Sequence, residues 1–158
     1  MRKINQFIES IYSKFIIYIP SVLLAILGLK FLYIFWFDIG NEVVSESIVD
    51  TIKICSTLSA LAFYAGYMTT KEHKKPIFYL NGERFFHAVV ILFSVNILLK
   101  MFNFLTVNIQ DPLYLAWSQY GIKAIAVIFL LYVFGLMCVG LQSLLKVMHM
   151  DFKQRVHM

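Results

Sequence analysis

Four lysines stand in or at the ends of apolar runs: Lys30 (in ILGLKFLYIFWFD), Lys53, Lys100 and Lys123. An ammonium group inside hydrocarbon is costly, so each such lysine is a candidate functional group. Two chemistries are open to them. Each can snorkel to nearby headgroups and pair loosely with the acids of the segment DIGNEVVSES. Lys53 is three residues from Asp50 and can pair along a helix. Alternatively the lysines turn inward and line a vestibule, as cationic side chains do in anion-selective pores. Asn96 and Asn103 flank Lys100 at helical spacings of four and three, which makes one face of that run polar. Lys30, Asn96, Lys100 and Asn103 are therefore the candidate pore or vestibule set.

The other reactive residue types form no recognisable centre. His73, His87, His149 and His157 lack the HxxxH or HExxH spacing that places two ligands on one metal. Cys55 and Cys138 have no CxxC partner and read as small packing residues. No phosphate loop or serine–histidine arrangement is present, and no acid falls within a span as read below. The chain is expected to be non-enzymatic, without metal or cofactor, and without direct binding of nucleic acid.

The elements that must carry these residues are set by composition. The chain has 158 residues, 60 % hydrophobic and 15 % charged. A soluble domain carries roughly a quarter charged residues, so this one cannot clothe a watery surface. The apolar residues fall in blocks of about the ~20 residues that cross a bilayer. The expected fold is all-α: one integral membrane domain over 1–158, a four-transmembrane-helix bundle. Its spans are read at about 15–37, 51–70, 85–105 and 121–146. Short connections predict that consecutive helices are antiparallel neighbours. The N-terminal run has no small-residue cleavage site and reads as a retained span.

Charge orients the bundle. Arg2, Lys3 and Lys14 precede span one; Lys71, Lys74, Lys75 and Arg84 lie between spans two and three; Lys146, Lys153 and Arg155 close the chain. The other two connections hold no Lys or Arg. The positive-inside rule then predicts N-in/C-in topology, with both termini and the second connection in the cytoplasm. Tyr33, Trp36, Tyr114, Trp117 and Tyr120 fall toward the outer interface, with Tyr12 and Tyr18 at the inner one.

Local signals add detail. Cys55, Ser59, Ala62 and Gly66, spaced four, three and four, share one helix face and form a candidate packing seam, within the protomer or between copies. Ser47 and Asp50 have capping-box spacing before span two, and Asn41 is a candidate cap for a short helix before it. Asn81-Gly82 is a turn signal, with Pro76 and IFYL ahead of it. Lys71, Lys74, Lys75 and Arg84 beside these aromatics form a candidate surface for a cytoplasmic protein partner or anionic headgroups.

The whole plan is a cytoplasmic arm, two spans, a basic middle connection, two spans and a short tail. In that plan the chain resembles the small four-helix inner-membrane subunits of phage-defence systems, the KwaA subunits of Kiwa and the RexB-like exclusion channels. The resemblance implies either an infection sensor with a cytoplasmic effector or an ion channel that depolarises the cell. It carries no motif and so assigns no residue. The expected function is a sensor or anchor subunit with a cytoplasmic partner; the alternative is an oligomeric ion channel. A homo-oligomer is expected, and for the channel reading the pore is expected on an oligomer axis, because one bundle of four helices has little room for a pore.

Overall fold

The computed structural model describes residues 2–37, 42–106 and 111–156. Among them are four α-helices, α1 (Arg2–Phe37), α2 (Glu42–Met68), α3 (Lys75–Thr106) and α4 (Pro112–Val156), with a 3-10 turn at Glu72–Lys74 and no strand. All four helices contain segments long and apolar enough to cross a membrane. At 1.5 Å per residue, the 36 residues of α1 and the 45 of α4 extend about 54 and about 68 Å, well beyond a ~30 Å hydrocarbon core.

Cross-helix contacts fix the directions. On α2 and α3, Ser59 meets Gly82, Phe63 meets Tyr79 and Gly66 meets Phe78, so one number rises as the other falls. Asn81 meets Ser143 and Phe85 meets Gly140 between α3 and α4. Ser21 meets Cys138, Gly28 meets Phe134 and Trp36 meets Lys123 between α1 and α4. Each of these pairs is antiparallel.

Helix α1 rests on α4, α4 on α3, and α3 on α2. The expectation that α1 would pair with α2, its neighbour in the chain, does not hold: the main partner of α1 is α4. The four helices share one apolar core that includes Phe35, Ile48, Leu92, Val95, Leu130 and Val133.

Glycines set the closest approaches. A Cβ on Gly82 would lie 2.9 Å from the Phe63 ring, one on Gly140 2.9 Å from Phe85, and one on Gly28 2.8 Å from Phe134. These are well inside carbon–carbon contact distance, so each ring lies directly against helix backbone.

Two local expectations are overturned. Asn81-Gly82 is no turn: α3 runs through both residues, and both are buried. Glycine serves there to admit Phe63, and Asn81 bonds to α4, so tertiary contact outweighs the turn preference of the dipeptide. Nor do Ser47 and Asp50 cap a helix. Helix α2 already starts at Glu42, and the Thr51 hydroxyl donates to the Ser47 carbonyl in its interior at 2.8 Å. Asn41 lies outside the described residues. The cap found at the start of α4 is Asp111, whose carboxylate accepts from the Leu113 amide at 2.9 Å.

Candidate functional site

The antiparallel register brings three basic segments to one end of the bundle. The Ser59–Gly82 and Gly66–Phe78 contacts lead to the connection between α2 and α3. Asn81–Ser143 places the C-terminal part of α4 beside it, and Ser21–Cys138 places the N-terminal part of α1 there as well. Positions Arg2, Lys3 and Lys14 of α1, Lys71 to Arg84, and Lys146, Lys153 and Arg155 of α4 thus belong to the same end.

A polar cluster ties α2, α3 and α4 together just inside this end. The Ser59 hydroxyl, on a buried residue, donates to the Gly82 carbonyl at 2.9 Å. Asn81 is wholly buried; its amide nitrogen donates to the Ser143 hydroxyl at 3.0 Å, and its carbonyl accepts from Arg84 Nη1 at 3.0 Å. One asparagine therefore uses both ends of its amide to couple α4 to a half-buried guanidinium. Polar groups in an apolar bundle are tolerated when satisfied in this way.

The basic candidates of the connection differ in their surroundings. Lys71 is exposed, whereas Lys74 is 4 % exposed. Lys75 pairs with Glu72 at 2.7 Å. Arg84 is held by Asn81. Lys146, which the sequence reading placed only as an orienting charge, is exposed at the same end. His149 Nε2 is buried there with no hydrogen-bond partner among the described residues.

Cys55, Ser59, Ala62 and Gly66 are all buried on α2. Gly66 faces Phe78, and Ser59 bonds to Gly82, so the face they share is turned to α3 within the protomer.

The four vestibule candidates are not brought into one buried site. Asn96 is buried, with only 8 % exposed, while Lys30 and Lys100 are exposed on α1 and α3. The side chain of Asn103 lies outside the described residues. Among the described residues, neither Lys30 nor Lys100 forms an ion pair. Lys123 donates to the Trp36 carbonyl at 3.2 Å. That carbonyl is in the last described turn of α1, where the helix dipole favours a cation.

Lys53 occupies a different place from the one expected. Its ammonium pairs with Asp50 at 2.8 Å, and both side chains are about two-thirds exposed, at 70 and 67 %. Because α2 begins at Glu42, this pair lies well inside the helix rather than at its start. The segment long and apolar enough to cross a membrane starts at Glu46 and includes Asp50.

Among the described residues no group of three or more His, Cys, Asp or Glu stands close enough to hold a metal ion. No family model, no curated protein and no solved structure matches the chain.

Proposed function

We propose that the chain is a multi-pass protein of a bacterial inner membrane, with both termini and the connection between α2 and α3 in the cytoplasm. It acts as a sensor or anchor subunit for a cytoplasmic partner and performs no catalysis of its own. The observation that carries this reading is the convergence of the basic segments at one end of the bundle. Lysine and arginine near span ends are retained on the cytoplasmic side. Helices α1 and α4 exceed a bilayer core in length, so part of each extends beyond the hydrocarbon. An infection-sensing role is the specific form implied by the resemblance to phage-defence subunits.

A photocrosslinking residue in place of Lys71 or Lys146 tests this in cells. Recovery of one discrete cytoplasmic protein from both positions, and not from Asp111, supports the reading. Lipid adducts alone from both positions count against it.

The second reading, an oligomeric channel, is favoured by one observation: the exposed Asp50–Lys53 pair inside an apolar helix. The protomer core is filled by residues such as Leu92, Val95, Leu130 and Val133, so a path would run between copies. Current through planar bilayers that changes ion preference with Asp50→Asn or Lys53→Gln supports this channel; silence at every voltage rejects it.

A further inference from the structure

The depth of the Asp50–Lys53 pair follows from the helix contacts. Carrying the α2–α3 register from Ser59 and Phe63 toward the start of α2 brings Lys53 level with about Val89 and Asp50 with about Leu92. Ile48 and Cys55, which bracket the pair in sequence, belong to the same buried cluster as Ala88, Leu92 and Val95. Leu92 is the centre of residues 85–99, a stretch of α3 without Asp, Glu, Lys or Arg. The α3–α4 register places Leu92 near Val133, close to the centre of 124–145, an equally uncharged stretch of α4. The ion pair therefore lies at the mid-depth of the apolar block and on its outer surface.

Hydrocarbon is a poor neighbour for such a pair. Half of a ~30 Å core separates it from either interface, and a lysine stem is too short to snorkel that far. Charged side chains within membranes face protein or water. At this depth α3 and α4 offer uncharged surfaces, since 85–99 and 124–145 hold no Asp, Glu, Lys or Arg, and α1 offers a cation only, the exposed Lys30, level with about Leu130 of α4. The surface that carries acids as well as a lysine belongs to α2, whose main partner in the bundle is α3 alone.

Glu46, Asp50, Lys53 and Thr57, spaced four, three and four, form one helix face, and all four are exposed. The face carries both signs of charge. We propose that it seats the same face of a second copy of this chain, across a two-fold axis normal to the membrane. Parallel α2 helices then set Asp50 of one copy against Lys53 of the other, and the pair exchanges lipid for its own complement. This rests on the proposed insertion of the four helices.

Oxidative bridging of Thr57→Cys in native membranes tests it, with Ile128→Cys, exposed on α4, as the control and the wild type as the background for Cys55 and Cys138. The expected result is a covalent dimer from Thr57→Cys well above Ile128→Cys. Asp50→Lys weakens self-association by about three- to thirty-fold, the range for interhelical polar contacts, and Asp50→Lys with Lys53→Asp restores it. Single-molecule subunit counting in lipid reads the same equilibrium without cysteine. Bridging no greater than the control, with one subunit per particle, overturns the proposal. In that event a membrane-impermeant maleimide separates the causes. If Thr57→Cys stays unlabelled, α2 is inserted and meets lipid or another protein. If Thr57→Cys is labelled, the insertion of α2 itself fails.

Discussion

Replacing Gly82 by alanine puts the packing of α2 on α3 under direct test. In an open helix the change is favourable by about 0.8–1 kcal/mol, because glycine gives up more backbone freedom on folding. At Gly82 the new methyl carbon meets Cδ1, Cε1 and Cγ of Phe63 at 2.9, 2.9 and 3.0 Å. Cγ is the ring atom attached to the side-chain stem, so rotating the ring cannot relieve the contact. The helices must separate or Phe63 must leave its position, and overpacking of this kind costs about 1–3 kcal/mol. The net expectation is a loss of up to about 2 kcal/mol. Gly121 supplies the reference, since a methyl group there meets nothing within 4 Å. Gly121→Ala should be neutral or stabilising by up to about 1 kcal/mol. Reversible unfolding in mixed micelles, followed by far-ultraviolet circular dichroism, gives both values. Phe63→Leu in the Gly82→Ala background should recover most of the loss. If Gly82→Ala proves as stable as Gly121→Ala, the close approach of Phe63 to the α3 backbone is refuted.

Other consequences are equally specific. Asn81→Ala strands the Ser143 and Arg84 groups and should destabilise by about 1–3 kcal/mol; a double-mutant cycle with Ser143→Ala should return a coupling of about 0.6–1.7 kcal/mol, and zero coupling would remove the α3–α4 bond. Lys123→Gln should cost about 0.3–1 kcal/mol in the same unfolding assay by removing a cation from the C-terminal turn of α1, whereas Lys146→Gln, on an exposed residue, should change stability little. Expression of the chain with its native genomic neighbours should lower the plating efficiency of at least one phage if it is an infection sensor; unchanged plating across a broad phage panel counts against that role.

How far the sequence reveals this architecture depends on the kind of signal each element sends. Helices α1, α3 and α4 are legible because their uncharged runs are long and end in lysine or aromatic residues. Helix α2 is only half legible. Its first turns carry Glu42, Glu46 and Asp50, and acids ahead of an apolar run look the same in a loop as in a helix supported from one side. The small-residue face from Cys55 to Gly66 can be read by spacing alone, since burial repeats with the helical period. Its partner α3 cannot be read that way, because the matching surface is made of Phe78 and the backbone at Gly82. Asn81-Gly82 misleads for a related reason: its turn preference is local, whereas the Ser143 and Phe63 contacts that hold it helical come from far along the chain. The pairing of α1 with α4 is a tertiary choice that short connections do not encode.

The candidate site divides in the same way. The gathering of positive charge at one end is visible in the sequence because it depends only on the order of spans and loops. The internal engagement of Lys75 and Arg84 is not, because it depends on which neighbour each side chain meets. The mid-depth position of Asp50 and Lys53 needs the register between α2 and α3, which three cross-helix contacts supply.

Sidedness tests the central claim most directly. Single cysteines at Lys71 and at Asp111, both exposed and at opposite ends of the bundle, are treated in intact cells with a membrane-impermeant maleimide and again after permeabilisation. With the basic end in the cytoplasm, Asp111→Cys is labelled from outside, and Lys71→Cys is labelled only once the membrane is opened. Labelling of Lys71→Cys in intact cells, alone or together with Asp111→Cys, would contradict the account.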